Sequence, residues 1–376
     1  MAKVLFIASH RPDRSPNQRF RFEQYIHHLE QHGYQCRISY IVEESDDRYL
    51  YKPGNLLRKL GFVFRSIIKR MGDLRVSRDQ DIIFICREAL MSRGSFFEER
   101  FRKSGARIIY DLDDSIWLSN VSDANKRWAW VKDPGKTSRI IRLADLVFAG
   151  NAYLADHVRR FNSRVEIIPT TIDTDEYVPR TDRPPGPICI GWSGSLTTIQ
   201  HFQFALPALR AIKERYGDKV VLRVIGDGDF RVPELGIQGM PWRRDSEVKD
   251  LQAIDIGIMP LPDDEWARGK CGLKGLQYMA LGIPTIMSPV GVNSTIIQDG
   301  VNGFLADGVE EWITKLAVLM EDAELRRRTG EEARRSVVEN WSVNAWKARY
   351  VQLFDELLNQ GTDHVRPEEN RAHAHP

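Results

Sequence analysis

The sequence predicts an α/β protein of two Rossmann-like domains that face each other across a cleft. Three observations predict it. Short apolar, β-branched runs alternate with segments of helical period along most of the chain, the pattern of strand–helix–strand units. The runs are apolar throughout, as in a parallel sheet covered on both faces. The alternation stops at RTDRPPGP, 180–187, and then restarts, so two units are joined by a proline-rich linker. A chain of 376 residues exceeds one ordinary core and suits two domains.

In the first unit, 1–180, the expected strands are KVLFIAS from Lys3, YQCRISYIV from Tyr34, DIIFICR from Asp81, ARIIYDL from Ala106, ADLVFAG from Ala144 and VEIIPTT from Val165. The segment RFEQYIHHLEQHG between the first two reads as a helix stopped by Gly33. In the second unit, 187–342, they are PICIGWSG, VVLRVIGDG, DIGIMPL and IPTIMSP. NAWKARYVQLFDELL, 344–358, has apolar residues at helical spacing, and the polar stretch 361–376 is expected to be a disordered tail. Ligands of such sheets bind beyond the carboxyl ends of the strands.

Composition narrows the class. With 42% hydrophobic and 28% charged residues the chain is neither fibrous nor disordered. A net charge of +2 provides no global field for nucleic acid, so no nucleic-acid partner is expected. Cys36, Cys86, Cys189 and Cys271 form no CxxC pair and read as reduced thiols of a cytoplasmic protein, with no zinc site. The run VLFIAS after Met-Ala-Lys is too short for a signal-peptide core, and no apolar stretch reaches the length of a membrane span.

The most informative segment is GKCGLKGLQYMALGIPTIMSPVGVN, 269–293. Gly282 and Pro284 stop its helix, and Leu273, Leu276 and Ala280 form its apolar seam, so the helix begins near Gly272. Lys270 and Lys274 then sit at the positive end of the helix dipole, a placement that costs about 0.3–1 kcal/mol. An anion bound there reverses the sign, because N–H groups, dipole and both ammonium groups converge on it. Gly269, Gly272 and Gly275 would admit its close approach, and Gln277 shares the face of the two lysines. Two cations suit a diphosphate better than a carboxylate. When a nucleoside diphosphate leaves a sugar it gains negative charge, and lysines aimed at it stabilise the transition state more than the ground state. The plainer reading is a solvated lysine pair; the three glycines, the short capped helix and the PVGVN turn favour the anion site.

The segment 266–303, with KGLQYMALGIPTIMSPVG followed by IIQDGVNGFLA, resembles the donor-binding region of GT-B glycosyltransferases of the family 4 or group 1 type. Weaker resemblance covers most of the chain: ADLVFAGNAYLADHV, IIPTTIDTDEY, IGWSGSLTT, VIGDGD and DIGIMPL. The resemblance implies a nucleotide-sugar donor in the C-terminal domain and an acceptor in the N-terminal one. It further implies transfer with retention, no required metal ion, and a last helix, 344–358, that packs back on the first domain. The chain departs from the pattern twice. Where the family often has two glutamates eight positions apart, it has Gly269 and Gln277. Where an Arg and a Lys commonly follow the first donor-domain strand, it has Ser195 and Gln200. Lys270 and Lys274 would take over the diphosphate charge, and Gln277 would bind ribose or sugar.

Other residues carry two readings each. Gly194 and Ser195 bind a phosphate or form a plain turn; Gly226 and Asp227 contact the nucleotide or only end a strand; Trp242 stacks near the base or fills core. His10 is catalytic or an ordinary turn residue. Arg19 and Arg21, at a helix start, bind a phosphate of donor or lipid-linked acceptor, or lie on the surface. Asp111, Asp113 and Asp114 end a strand, where they orient or deprotonate an acceptor hydroxyl or cap a helix; recruitment of a divalent ion is the lesser option. In 56–76, Leu57, Leu60, Phe64, Ile67 and Met71 form an apolar seam, and Arg58, Lys59, Arg65, Lys69, Arg70 and Arg75 stand against Asp73. That pattern is a membrane-surface helix or a core-packing helix with a basic outer face.

The assembled expectation is a retaining glycosyltransferase acting on a glycan or lipid-linked acceptor in cell-envelope polysaccharide or lipopolysaccharide synthesis, cytoplasmic or peripheral at the inner membrane face. Its catalytic residues would be His10, Asp113, Asp114 and Lys270. Its donor side would be Gly194, Ser195, Gly226, Asp227, Trp242, Lys270, Lys274 and Gln277, and its acceptor side Arg19, Arg21 and Asp111, with no metal and no cofactor. The alternatives are a sugar-nucleotide epimerase of the same architecture and a non-catalytic scaffold that binds a membrane or a partner.

Overall fold

The computed structural model describes residues 1–50, 54–118, 133–182, 185–195 and 198–359. The expected tail, 361–376, and part of the linker lie outside the described residues.

The first sheet holds β1 (Ala2–Ile7), β2 (Tyr34–Ser39), β3 (Ile82–Cys86), β4 (Arg107–Leu112), β5 (Leu146–Ala149) and β6 (Val165–Ile167), all parallel, in the order β2-β1-β3-β4-β5-β6. β7 (Ile188–Ser193) and β8 (Val220–Gly226) open the second unit, followed by a small antiparallel pair, β9 (Arg231–Val232) and β10 (Ile237–Gln238). β11 (Met240–Pro241), β12 (Ile256–Met259), β13 (Thr285–Met287) and β14 (Phe304–Leu305) complete a second parallel sheet, in the order β11-β8-β7-β12-β13-β14. The central strands are apolar because helices cover both faces: Val4, Leu5, Phe6 and Ile7 are wholly buried, as are Ile82 to Ile85. β9, β10, β11 and β14 are two residues each, too short to leave an apolar run in the sequence.

Each order reverses once, between β1 and β3 and between β7 and β12. At such a switch point neighbouring connections leave in opposite directions and open a crevice at the strands' carboxyl ends. The two switch points position everything that follows.

The segment after β1 is not one regular helix. A π-helical turn, Arg19–Glu23, precedes the helix Gln24–Gln31. Four consecutive residues, Arg19 to Phe22, are buried, which one stripe of a regular surface helix does not allow. The helix Val343–Asn359 lies on the first unit. Its Tyr350 ring stacks on Tyr25 at 4.1 Å, Phe354 packs near Phe84, and Asp355 accepts a hydrogen bond from Tyr34.

The helix Leu56–Val76 departs from the core-packing reading. It buries Phe62, Ser66, Arg70 and Asp73, while the apolar seam faces outward. Arg70 decides this. Its guanidinium donates to the carbonyls of Ala8, Ser39 and Ala89 and pairs with Asp73 at 2.8 Å. A fully buried cation needs all those acceptors, and satisfying it turns the opposite face to solvent.

Candidate active site

The crevice of the second sheet lies between the ends of β7 and β12, and the loop 260–272 brings it against the end of β4. Lys270 Nζ stands 2.8 Å from Asp114 Oδ2, a contact between the two units, and lies over the Trp266 ring at 4.8 Å. Asn151 donates to the Lys270 carbonyl at 2.9 Å, and the Cys271 thiol donates to the Asp113 carbonyl at 3.2 Å. The loop carrying Lys270 is therefore held from the first unit by several bonds, which fixes the ammonium in the crevice.

Lys274 is the second residue of the helix Leu273–Ala280, behind Gly272 with φ +71°. Its ammonium lies 5.5 Å from the centroid of Trp192 and forms no ion pair among the described residues. Burial, then the nearby Lys270, push its pKa down to about 8, against partial support from Asp114. His201, in the short helix Ile199–Phe202 after β7, belongs to the same cluster: burial, Lys274 and Lys270 push it down to about 4. Both ammonium groups share one carboxylate, Asp114, while the neutral imidazole also feels Asp264, so Lys274 stands at a switch point with no carboxylate of its own. An anion of more than one charge fits that field.

The structure corrects several roles. Gly269 abuts Ser115 and Gly275 abuts Met287, so a side chain at either would collide with protein. These glycines serve close packing and leave no room for a ligand. The same contact explains the missing family glutamate, since any carboxylate at 269 would strike Ser115. Gln277 is buried, and its amide nitrogen donates to Tyr177 at 3.0 Å and to Glu247 at 3.2 Å, so that end of the side chain is committed to protein partners. Trp242 Nε1 donates to Glu247 at 2.9 Å, and Arg19 pairs with Glu247 at 2.8 Å. Three residues read as ligand contacts thereby converge on one buried carboxylate between the units. Burial would raise the Glu247 pKa, but Arg19 and the hydrogen bonds hold it below the usual range.

Arg21 and Asp111 are also withdrawn from the acceptor side. They pair with each other at 2.6 Å, both almost completely buried. Burial raises the Asp111 pKa, with Arg21 opposing it. Asp113 is gripped through both oxygens by Arg87, at 2.6 and 3.0 Å, which fits a positioning part better than a proton-abstracting one. Arg87 sits at φ +63°, a conformation uncommon outside glycine, and stands 3.7 Å from Asp114.

His10 ends beside β1 at the first switch point. Its backbone N–H and carbonyl are both tied to the Gln18 amide at 2.8 Å. Burial, then Arg14, push its pKa down to about 4, so the ring is neutral at pH 7. Gly194 and Gly226 approach so closely that a side chain at Gly226, φ +137°, would strike the Gly194 carbonyl. Ser195 is exposed, and its N–H donates to Thr198 at 2.9 Å. Asp227 accepts from the Asp229 N–H at 2.8 Å, closing its own turn. Sequence reasoning missed Arg87, Ser115, His201 and Glu247. Arg87, directly after the run IIFIC, carried a positional signal; the other three carried none, since their partners lie far away in the chain.

Solved structures share this fold. A glycosyltransferase from Rickettsia africae ESF-5 superposes with a TM-score of 0.66 at 14% identity, covering 96% of this chain and 99% of that one. HepE from Anabaena, solved with UDP-glucose, superposes with a TM-score of 0.62 at 14% identity, covering 95% and 100%. The architecture is the GT-B fold of glycosyltransferases. Residues 187–322, within the C-terminal unit, match the family described as Glycosyl transferases group 1. D-inositol 3-phosphate glycosyltransferase of Corynebacterium glutamicum (strain R) is 27% identical over 244 residues, 56% of each chain. The chain spans about half the length of that curated relative.

Proposed function

We propose that this chain is a retaining glycosyltransferase that moves a sugar from a nucleoside diphosphate sugar to a glycan or lipid-linked acceptor. One observation carries the reading. Lys274 holds an unpaired, partly buried ammonium next to Lys270, in the crevice where the second sheet reverses its strand order. The family match of this unit and a fold shared with a protein solved with UDP-glucose support a nucleotide-sugar donor.

The chemistry follows from charge. As the glycosidic bond breaks, the departing diphosphate gains negative charge. Lys274 and Lys270 would meet it in a poorly solvated place, where one charge pair about 4 Å apart contributes up to a few kcal/mol. Lys270 would exchange its Asp114 partner for a phosphate oxygen. Asp114, still beside Arg87, would then be available to orient the acceptor hydroxyl. His201, neutral beforehand, would gain basicity beside the phosphates and donate to one of them. In this reading the ammonium groups balance the leaving charge without a metal ion. Synthesis of cell-envelope polysaccharide or lipopolysaccharide at the inner membrane face is the setting we infer, resting on the family resemblance.

The test is a panel of nucleoside diphosphate sugars with release of nucleoside diphosphate as readout. Turnover of at least one donor is expected, with kcat/KM lowered well over tenfold in Lys270→Ala and in Lys274→Ala. Full activity in both variants would remove the crevice from catalysis.

A further inference from the structure

The helix Leu56–Val76 presents an apolar face that the rest of the chain leaves uncovered. Leu57 is 84% exposed, Phe64 67% and Ile68 56%, and Leu60, Ile67 and Met71 share their face. Soluble surfaces rarely carry a contiguous apolar stripe of this size without a partner. From Leu56 to Met71 it runs for roughly 22 Å at 1.5 Å per residue. Arg58, Arg65 and Lys69, at spacings of seven and four, form one flank, and Arg75 extends the basic surface. Arg58, Lys69 and Arg75 are exposed and form no ion pair among the described residues. The helix's only acid, Asp73, is buried against Arg70.

We propose that this helix docks the protein on the surface of an anionic lipid bilayer, its apolar face entering the headgroup boundary and its basic flank meeting lipid phosphates. Charge selects this occupant. Two copies packed face to face would bring their own cations together, whereas anionic headgroups neutralise them. Shape agrees, since a convex single helix needs no groove in a fluid interface. No helix among the described residues is long and apolar enough to cross a membrane, and a helix of this pattern lies in the interface plane. Arg70 ties it to Ala8, Ser39 and Ala89, at or just past the ends of β1, β2 and β3. The lipid surface therefore lies beside the crevice edge of the first sheet. This goes beyond the transfer reaction and is read without donor or acceptor.

The experiment is co-sedimentation of the full chain with vesicles of phosphatidylcholine, with and without about one third phosphatidylglycerol. Partitioning at least tenfold stronger to the anionic vesicles is expected, and weaker as salt rises. Leu57→Ser with Phe64→Ser, and separately Arg58→Glu with Lys69→Glu, should each lower it at least tenfold. All four side chains face solvent, so circular dichroism and melting should stay unchanged. Equal partitioning of the parent and both variants, or no preference for anionic vesicles, overturns the proposal. A lipid-indifferent dimer that Phe64→Ser dissociates, seen by sedimentation velocity, overturns it in favour of a second copy.

Discussion

Lys274 carries its charge at a disadvantage that a bound anion would remove. Its ordinary pKa is 10.5 and its folded value about 8. Below pH 8 both folded and unfolded chains hold the proton, and the folded state bears the full burial penalty. Between about 8 and 10.5 the unfolded chain binds more protons, so this group's contribution to stability rises with pH across that window. Lys274→Met is therefore expected to raise Tm at pH 7 by about 2–4 °C, for a gain on the order of 1 kcal/mol, while abolishing donor turnover. A lower Tm would mean the ammonium is stabilising where it stands. Donor affinity should fall as pH rises through about 8, and Lys274→Arg should move that fall to higher pH, as isothermal titration with UDP or another nucleoside diphosphate would reveal. Gly269 makes a second case. Gly269→Ala drives a methyl group into Ser115 and should cost about 1–3 kcal/mol as overpacking; Ser115→Gly in the same chain should restore most of it in urea unfolding.

At the scale of the element, a helix can be oriented by one buried cation against its own apolar seam. Arg70 satisfies carbonyls at the ends of three strands and one carboxylate, and those bonds hold the helix Leu56–Val76 with its apolar stripe outward. Arg70→Met would leave Asp73 and those carbonyls without the cation. The expected loss is about 3–5 kcal/mol, measurable by urea unfolding, with early hydrogen exchange confined to this helix. Uniform exchange across the first unit would mean that Phe62 and Ser66 hold the helix without it. The π-turn Arg19–Glu23 is a related device: it sends Arg19 toward Glu247 and Arg21 toward Asp111 from one turn of chain.

For the whole molecule, polar pairs couple the two units. Arg19, Tyr177, Trp242 and Gln277 meet on Glu247, while Lys270 meets Asp114 at the crevice. The first knot is buried, so breaking it leaves an uncompensated charge. Glu247→Ala should lower stability by about 3–5 kcal/mol and split urea unfolding into two transitions; a single unshifted transition would show that the units are held by their apolar contacts alone.

The sequence by itself determined the strand–helix alternation, the break near 180–187, and the helix start that puts Lys270 and Lys274 together. Each depends on neighbours a few residues apart: apolar periodicity, Gly282 and Pro284 as stops, proline in the linker. Only the tertiary structure decided what Arg21, Gln277, Trp242 and Asp111 do. Arg21 meets Asp111 ninety positions away, and Gln277 meets Tyr177 a hundred away, and no local pattern encodes such a pairing. It also decided which face of the helix Leu56–Val76 turns to solvent. An amphipathic stripe records that two faces differ, but the direction each one points depends on the acceptors that distant strands supply.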